Sequence, residues 1–155
     1  MTDFFNYGDA RSNDAGEVDL TVLKGLSEAD WETVVTAARY IHFLAGERLI
    51  EAGQTDNGVY ILVSGTVEVI GKGGFGGEKV IAEIHEGSVF GELAFFDAQP
   101  RSAGIRARTD GEVIHLTHEG FDRIAEANPA LANRLIFDMG RVLAYRFRKA
   151  VAAIL

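Results

Sequence analysis

Glu92 and Arg101 are the charged side chains whose setting points most directly to chemistry. Ser88 to Phe90 reads as a short strand, and Gly91 lets the backbone turn and a ligand approach closely. Glu92 to Asp97 is enough for a short helix, and Pro100 stops it. Ala103 to Ala107 resumes as a strand with Ile105 as its apolar member. A helix begun this way leaves the amides near Leu93 and Ala94 without intrahelical acceptors, and such amides attract anions. The planar guanidinium of Arg101 suits two phosphate oxygens at once. The Glu92 carboxylate would repel a phosphate unless it accepts a hydrogen bond from the same ligand, and a sugar hydroxyl would serve. The stretch reads as a site for a small molecule carrying a phosphate and a hydroxyl. On spacing alone, a helical turn and loop with ordinary surface charges stays open as the alternative.

These residues need a scaffold. With 155 residues, 47% of them hydrophobic, the chain can bury the core of one domain. Residues 20–155 are assigned to it. Residues 1–19 are polar and acidic apart from Phe4, Phe5 and Tyr7, and are expected to form a flexible arm. The absence of Cys excludes disulfides and thiolate chemistry, and with no basic, apolar leader it points to the cytoplasm. A net charge of −8 argues against nucleic acid as a partner, and no stretch is apolar enough for membrane insertion.

Ser27 to about Arg39 is predicted helical, with Ser27 as N-cap and Trp31, Val34, Val35 and Ala38 facing the core. Short apolar runs follow, broken by glycine-rich turns: 40–44, 48–51, 59–64, 66–70, 79–84, 88–90, 103–107 and 112–116. About eight closely spaced strands suggest a sandwich or jelly roll. Gly71 to Gly77 contains a G-x-G-x-x-G string, but strands flank it on both sides, so it reads as a hairpin loop and not a dinucleotide site.

Glu119–Ala127 reads as a short helix. Asn128-Pro129 opens a longer one that runs to near Ile154. That helix is apolar on two faces: Leu131, Leu135, Met139 and Val142 on one, Ile136, Leu143, Phe147, Val151 and Ile154 on the other. Gly140 within it reads as a packing notch. Arg141, Arg146, Arg148 and Lys149 near its end read as complements to the helix dipole. The four histidines are scattered, no metal-ligand spacing or Ser–His–acid grouping appears, and neither metal nor catalytic residue is assigned.

The run Phe90-Gly91-Glu92-Leu93-Ala94 with Pro100-Arg101-Ser102-Ala103 resembles the phosphate-binding cassette of cyclic nucleotide-binding domains, found in the bacterial catabolite activator protein, the regulatory subunits of cAMP-dependent kinase and cyclic-nucleotide-gated channels. The resemblance implies a mainly β fold with flanking helices: an eight-stranded antiparallel β-roll, jelly-roll-like, with an N-terminal helix, a short cassette helix and C-terminal helices. The implied ligand is cAMP, with cGMP as the other candidate, and no cofactor. Ser102, rather than threonine, after the arginine mildly disfavours cGMP. By the same resemblance Arg101 pairs with the cyclic phosphate, assisted by the Leu93 and Ala94 amides and the Ser102 hydroxyl. Glu92 and the Gly91 backbone hold the ribose 2′-hydroxyl, Phe90 and Ala103 are counted with them as cyclic nucleotide-binding residues, and Tyr145 or Phe147 covers the base. Gly104 departs from the larger residues common there. The expected role is that of a stand-alone receptor, signalling through its C-terminal helix to a separate effector protein or a second copy of itself. The alternatives are a nucleotide-insensitive scaffold or dimerisation module of the same fold, and a receptor for another cyclic nucleotide or dinucleotide.

Overall fold

The computed structural model describes residues 18–155. The expected N-terminal arm, with Phe4, Phe5 and Tyr7, lies outside them except for Val18, which packs against the core, and Asp19. Helix α1 spans Glu28–Thr36, capped by the Ser27 side chain on the Asp30 amide. Strands β1 (Arg39–Phe43), β2 (Arg48–Ile50), β3 (Val59–Ser64), β4 (Thr66–Lys72), β5 (Glu78–His85) and β6 (Val89–Phe90) follow. Then come α2 (Glu92–Asp97), β7 (Gly104–Ala107), β8 (Gly111–Leu116), α3 (His118–Ala127) and α4 (Pro129–Ile154). The glycine string forms a tight turn at Gly74–Gly76 between β4 and β5.

The strands form two antiparallel four-stranded sheets, ordered β1-β8-β3-β6 and β2-β7-β4-β5. Alternation along β3 explains why that strand reads as one continuous apolar run. Tyr60 and Leu62 point between the sheets, into a core shared with Val67, Ile84, Phe90 and Ile105. Val59 and Ile61 point the other way, into a second core under the helices with Val34, Ile124, Leu135 and Met139. Both faces are buried, so both must be apolar.

The expected fold class is the one observed, with local differences. Helix α1 stops at Thr36, earlier than predicted, because Arg39 is already paired with His115 in β1. Val35 does not face the core: it is 41% exposed, about a quarter-turn around the helix from fully buried Val34. Strands β4 and β5 run further toward their turn than their apolar residues, since the ladder between Gly71 and Lys79 is made by backbone groups. In α4 the stripe Leu131, Leu135, Met139 and Val142 is buried as predicted. Gly140 is not a packing notch, because a Cβ there would meet nothing within 4 Å. No helix among the described residues is long and apolar enough to cross a membrane.

Candidate functional site

The cassette bridges the two sheets. It leaves the first sheet at β6, where Phe90 is paired with Tyr60 of β3, and enters the second at β7. Between them Gly91 adopts a left-handed conformation with φ of 77°, and α2 begins at the next residue. The Phe95 amide closes the first turn on the Gly91 carbonyl, which leaves the earlier amides of α2 without an acceptor one turn back. Ala98 ends the helix, also left-handed. Two backbone hydrogen bonds then fasten the end of the cassette to the loop between β2 and β3: Arg101 N to Gln54 O at 2.7 Å and Gly53 N to Arg101 O at 2.8 Å.

Arg101 is buried, and most of its donors are engaged. Nη2 donates to Asp56 Oδ2 at 2.8 Å and to the Gly58 carbonyl at 2.7 Å. Nη1 donates to the Gly91 carbonyl at 2.8 Å, and Nε makes a longer contact of 3.4 Å with Asp56 Oδ1. The glycine at 91 thus admits the arginine itself, since a Cβ there would stand 2.6 Å from Arg101 Nη1. The guanidinium lies 6.0 Å from the centre of the Tyr60 ring, which stacks on Phe90 with ring centres 4.8 Å apart. Hydrogen bonding from Arg101 holds the Asp56 carboxyl below the usual carboxylate range. Burial pushes the Tyr60 hydroxyl up and the neighbouring His115 imidazole down.

Glu92 is also buried, and its partner is Arg146 of α4, with Nη1 of the arginine 3.0 Å from Oε1. Arg146 Nη2 also donates to the Val89 carbonyl at 2.8 Å and reaches Ser88 Oγ at 3.3 Å. One arginine therefore ties the long helix to the strand and helix of the cassette.

Glu92 and Arg101 both line one hollow. Its cassette wall is formed by Phe90, Gly91, Glu92, Leu93 and Ala94, continued by Arg101, Ser102 and Ala103. Its floor is aliphatic: Ile50, Val69, Ile84 and Ile105. Gly104 sits just behind, where a Cβ would come within 3.2 Å of Arg48 Nη1 and 3.3 Å of the Ile50 carbonyl, so a larger residue would crowd β2. Free amides, a guanidinium and a hydroxyl at one end and an apolar floor at the other suit an anion attached to a flat, less polar body.

The hollow gathers all the predicted cassette residues and leaves out the expected base lid. Tyr145 packs against the core under the helices, and Phe147 is 67% exposed. In α4 the residue turned inward is the one between them, Arg146. The dipole reading of Arg146 is corrected accordingly. Its place on the stripe Leu135, Met139, Val142 was the available signal, because a cation on a buried helix face requires a buried partner. Asp56 was missed as well, because it lies 45 residues from Arg101 in sequence, in the loop between β2 and β3. No group of three or more His, Cys, Asp or Glu among the described residues could hold a metal ion.

The family model for the cyclic nucleotide-binding domain matches residues 40–128. The chain is 33% identical over 106 residues to a cAMP-dependent protein kinase regulatory subunit of Emericella nidulans, covering 68% of this chain and 25% of that protein. It is 34% identical over 96 residues to the cAMP-activated global transcriptional regulator CRP of Salmonella typhimurium, covering 61% of this chain and 46% of that one. The chain thus spans between a quarter and a half of the length of these relatives. A crystal structure of a cyclic nucleotide-binding domain from Methylobacillus flagellatus superposes with a TM-score of 0.74 at 21% identity, covering 86% of this chain and 75% of that one.

Proposed function

The chain belongs to the cyclic nucleotide-binding domain family, and from that premise we propose that it is a receptor for a cyclic nucleotide, with cAMP as the first candidate. One observation carries the reading: Arg101, Ser102, Glu92 and the opening residues of α2 line a single hollow above an apolar floor. In this reading the α2 amides and Arg101 take the cyclic phosphate, and the floor takes apolar surface of the nucleoside. Arg101 then serves two anions, the ligand and Asp56, which fixes the plane of its guanidinium. Both relatives named above are cAMP-responsive by name, which supports cAMP over other cyclic nucleotides.

The signal leaves through α4. A ribose hydroxyl that bonds Glu92 changes the carboxylate held by Arg146, and Arg146 is carried by α4. A ligand shifts an equilibrium only by its differential contact with the two states, and Glu92 supplies that contact. The outer face of α4 leaves Phe137 74% and Ile154 74% exposed, and there we place the contact with an effector or a second copy.

Thermal melting tests the reading. A true ligand at 100 times its dissociation constant stabilises by about 2.7 kcal/mol, or roughly 5–11 °C for a domain of this size. A shift with cAMP or cGMP and none with 5′-AMP is expected. No shift with millimolar cyclic nucleotide refutes the proposal and favours a nucleotide-insensitive scaffold.

A further inference from the structure

One buried nitrogen beside the cassette, Nε2 of His115, has no hydrogen-bond partner among the described residues. His115 lies on β8 and shares its alternating face with Val113, so its ring enters the core between the sheets. There it packs on Tyr60 of β3, with ring centres 4.5 Å apart. It also lies so close to Gly58 that a Cβ at that residue would overlap Nε2. The Gly58 carbonyl accepts from Arg101 Nη2, so the imidazole and the guanidinium meet the same residue. The charged groups acting on His115 are Arg39, its register partner on β1, Asp56 in the loop between β2 and β3, and Arg101 at the end of the cassette. Tyr60 is its titratable neighbour on β3. The one anion among them, Asp56, is held by Arg101 at 2.8 Å.

Resting on the receptor reading above, we propose that His115 couples cyclic-nucleotide binding to pH, because a phosphate on Arg101 favours the protonated imidazole. In the free protein the neutral ring is preferred. Burial holds the pKa of His115 below its ordinary value; Asp56 acts against this, while Arg39 and Arg101 act with it. A bound phosphate changes the balance twice. It adds an anion beside the Arg101 cation, and it takes up charge on the guanidinium that Asp56 alone neutralises in the free protein. Both changes favour a proton on the imidazole. Asp56, two residues before Gly58, is the carboxylate of the cluster that can accept from Nε2 once it carries a proton. The free protein therefore has the lower His115 pKa and the liganded protein the higher, so binding takes up a proton between the two values. Affinity is flat near pH 7.5 and rises as pH falls through and below about 6.5. The coupling is reciprocal, so each pKa unit gained on binding raises affinity by up to about tenfold.

The full chain is titrated calorimetrically with cAMP at about pH 7.5, 6.5 and 5.5, each in two buffers of different ionisation enthalpy, which reads proton uptake directly. The ring resonances of the four histidines are assigned and followed by NMR in the free and cAMP-saturated protein. The expected result is an affinity about threefold or more higher at the lowest pH, net proton uptake on binding, and a His115 ring that titrates higher with cAMP bound. His115→Gln, which cannot titrate, should bind with one affinity across the range. The wild-type proton uptake and resonances decide the matter even if that variant does not fold. Binding without proton uptake and with an unmoved His115 titration overturns the proposal and leaves the receptor reading standing. A pH dependence that persists in His115→Gln overturns it as well. Absence of binding at every pH overturns the receptor reading, and the coupling with it.

Discussion

Arg146→Met removes the cation that the buried Glu92 faces and leaves the rest of α4 intact. Glu92 and Arg146 side chains are 3% and 2% exposed, and their charged atoms lie 3.0 Å apart. Breaking a buried pair by deleting one partner costs about 3–5 kcal/mol, because the remaining charge is left uncompensated in a low-dielectric site. The Val89 carbonyl and Ser88 hydroxyl lose a donor in the same substitution. For a domain of this size each kcal/mol corresponds to about 2–4 °C, so the melting temperature should fall by roughly 6–20 °C. Urea unfolding of the wild type, Arg146→Met, Glu92→Gln and the double variant separates the pair from its surroundings. With Glu92 already neutral, Arg146→Met should cost less, giving a coupling of about 1–3 kcal/mol. A loss under about 1 kcal/mol, the value of a solvated surface pair, or additivity within about 0.5 kcal/mol, would refute the claim that this ion pair fastens α4 to the cassette.

Gly140→Ala should stabilise by about 0.5–1 kcal/mol, since the added methyl meets nothing and helix entropy improves; a lower melting temperature would show that another helix approaches closely there. Gly91→Ala should destabilise by about 1–3 kcal/mol, through its positive φ and the approach of Arg101, with cyclic-nucleotide affinity falling alongside, both read by calorimetry; an unchanged protein would contradict the cassette geometry. His115 gives a pH dependence. Burial lowers its folded pKa, with Arg39 and Arg101 acting in the same direction and Asp56 against it. The unfolded chain, titrating near 6.5, then binds protons that the folded chain refuses, so stability falls as pH drops through and below about 6.5. Asp56 acts in a separate window, its contribution being lost only as pH falls below about 3.9. Urea melts at about pH 7.5 and about pH 5.5 should show a smaller pH slope for His115→Gln than for wild type; equal slopes would assign the effect elsewhere.

The cassette was legible because its grammar is local. A strand, a left-handed glycine, a helix start, a proline and an arginine follow one another within one short segment, and each acts on its neighbours. The strands were legible for the same reason, their apolar runs being punctuated by turn residues. What was hidden depends on contacts distant in sequence. Arg146 and Glu92 are brought together only when α4 packs over the sandwich. Asp56 meets Arg101 only when the loop after β2 is fastened to the end of the cassette. Gly140 and Val35 were misjudged because helical periodicity locates an apolar stripe to within about one residue. Tyr145 and Phe147 were assigned by resemblance alone, and in this structure it is Arg146, between them, that reaches the cassette.

The central claim is that Arg101 anchors the phosphate of a cyclic nucleotide, and the most direct measurement is calorimetric titration of wild type and Arg101→Gln with cAMP and cGMP, with folding of the variant verified by circular dichroism. Truncating one member of a buried charge pair costs about 2–5 kcal/mol, so affinity should fall by roughly 30-fold or more in the variant. Equal affinity in the two proteins, or no heat of binding in the wild type at millimolar nucleotide, would contradict the account.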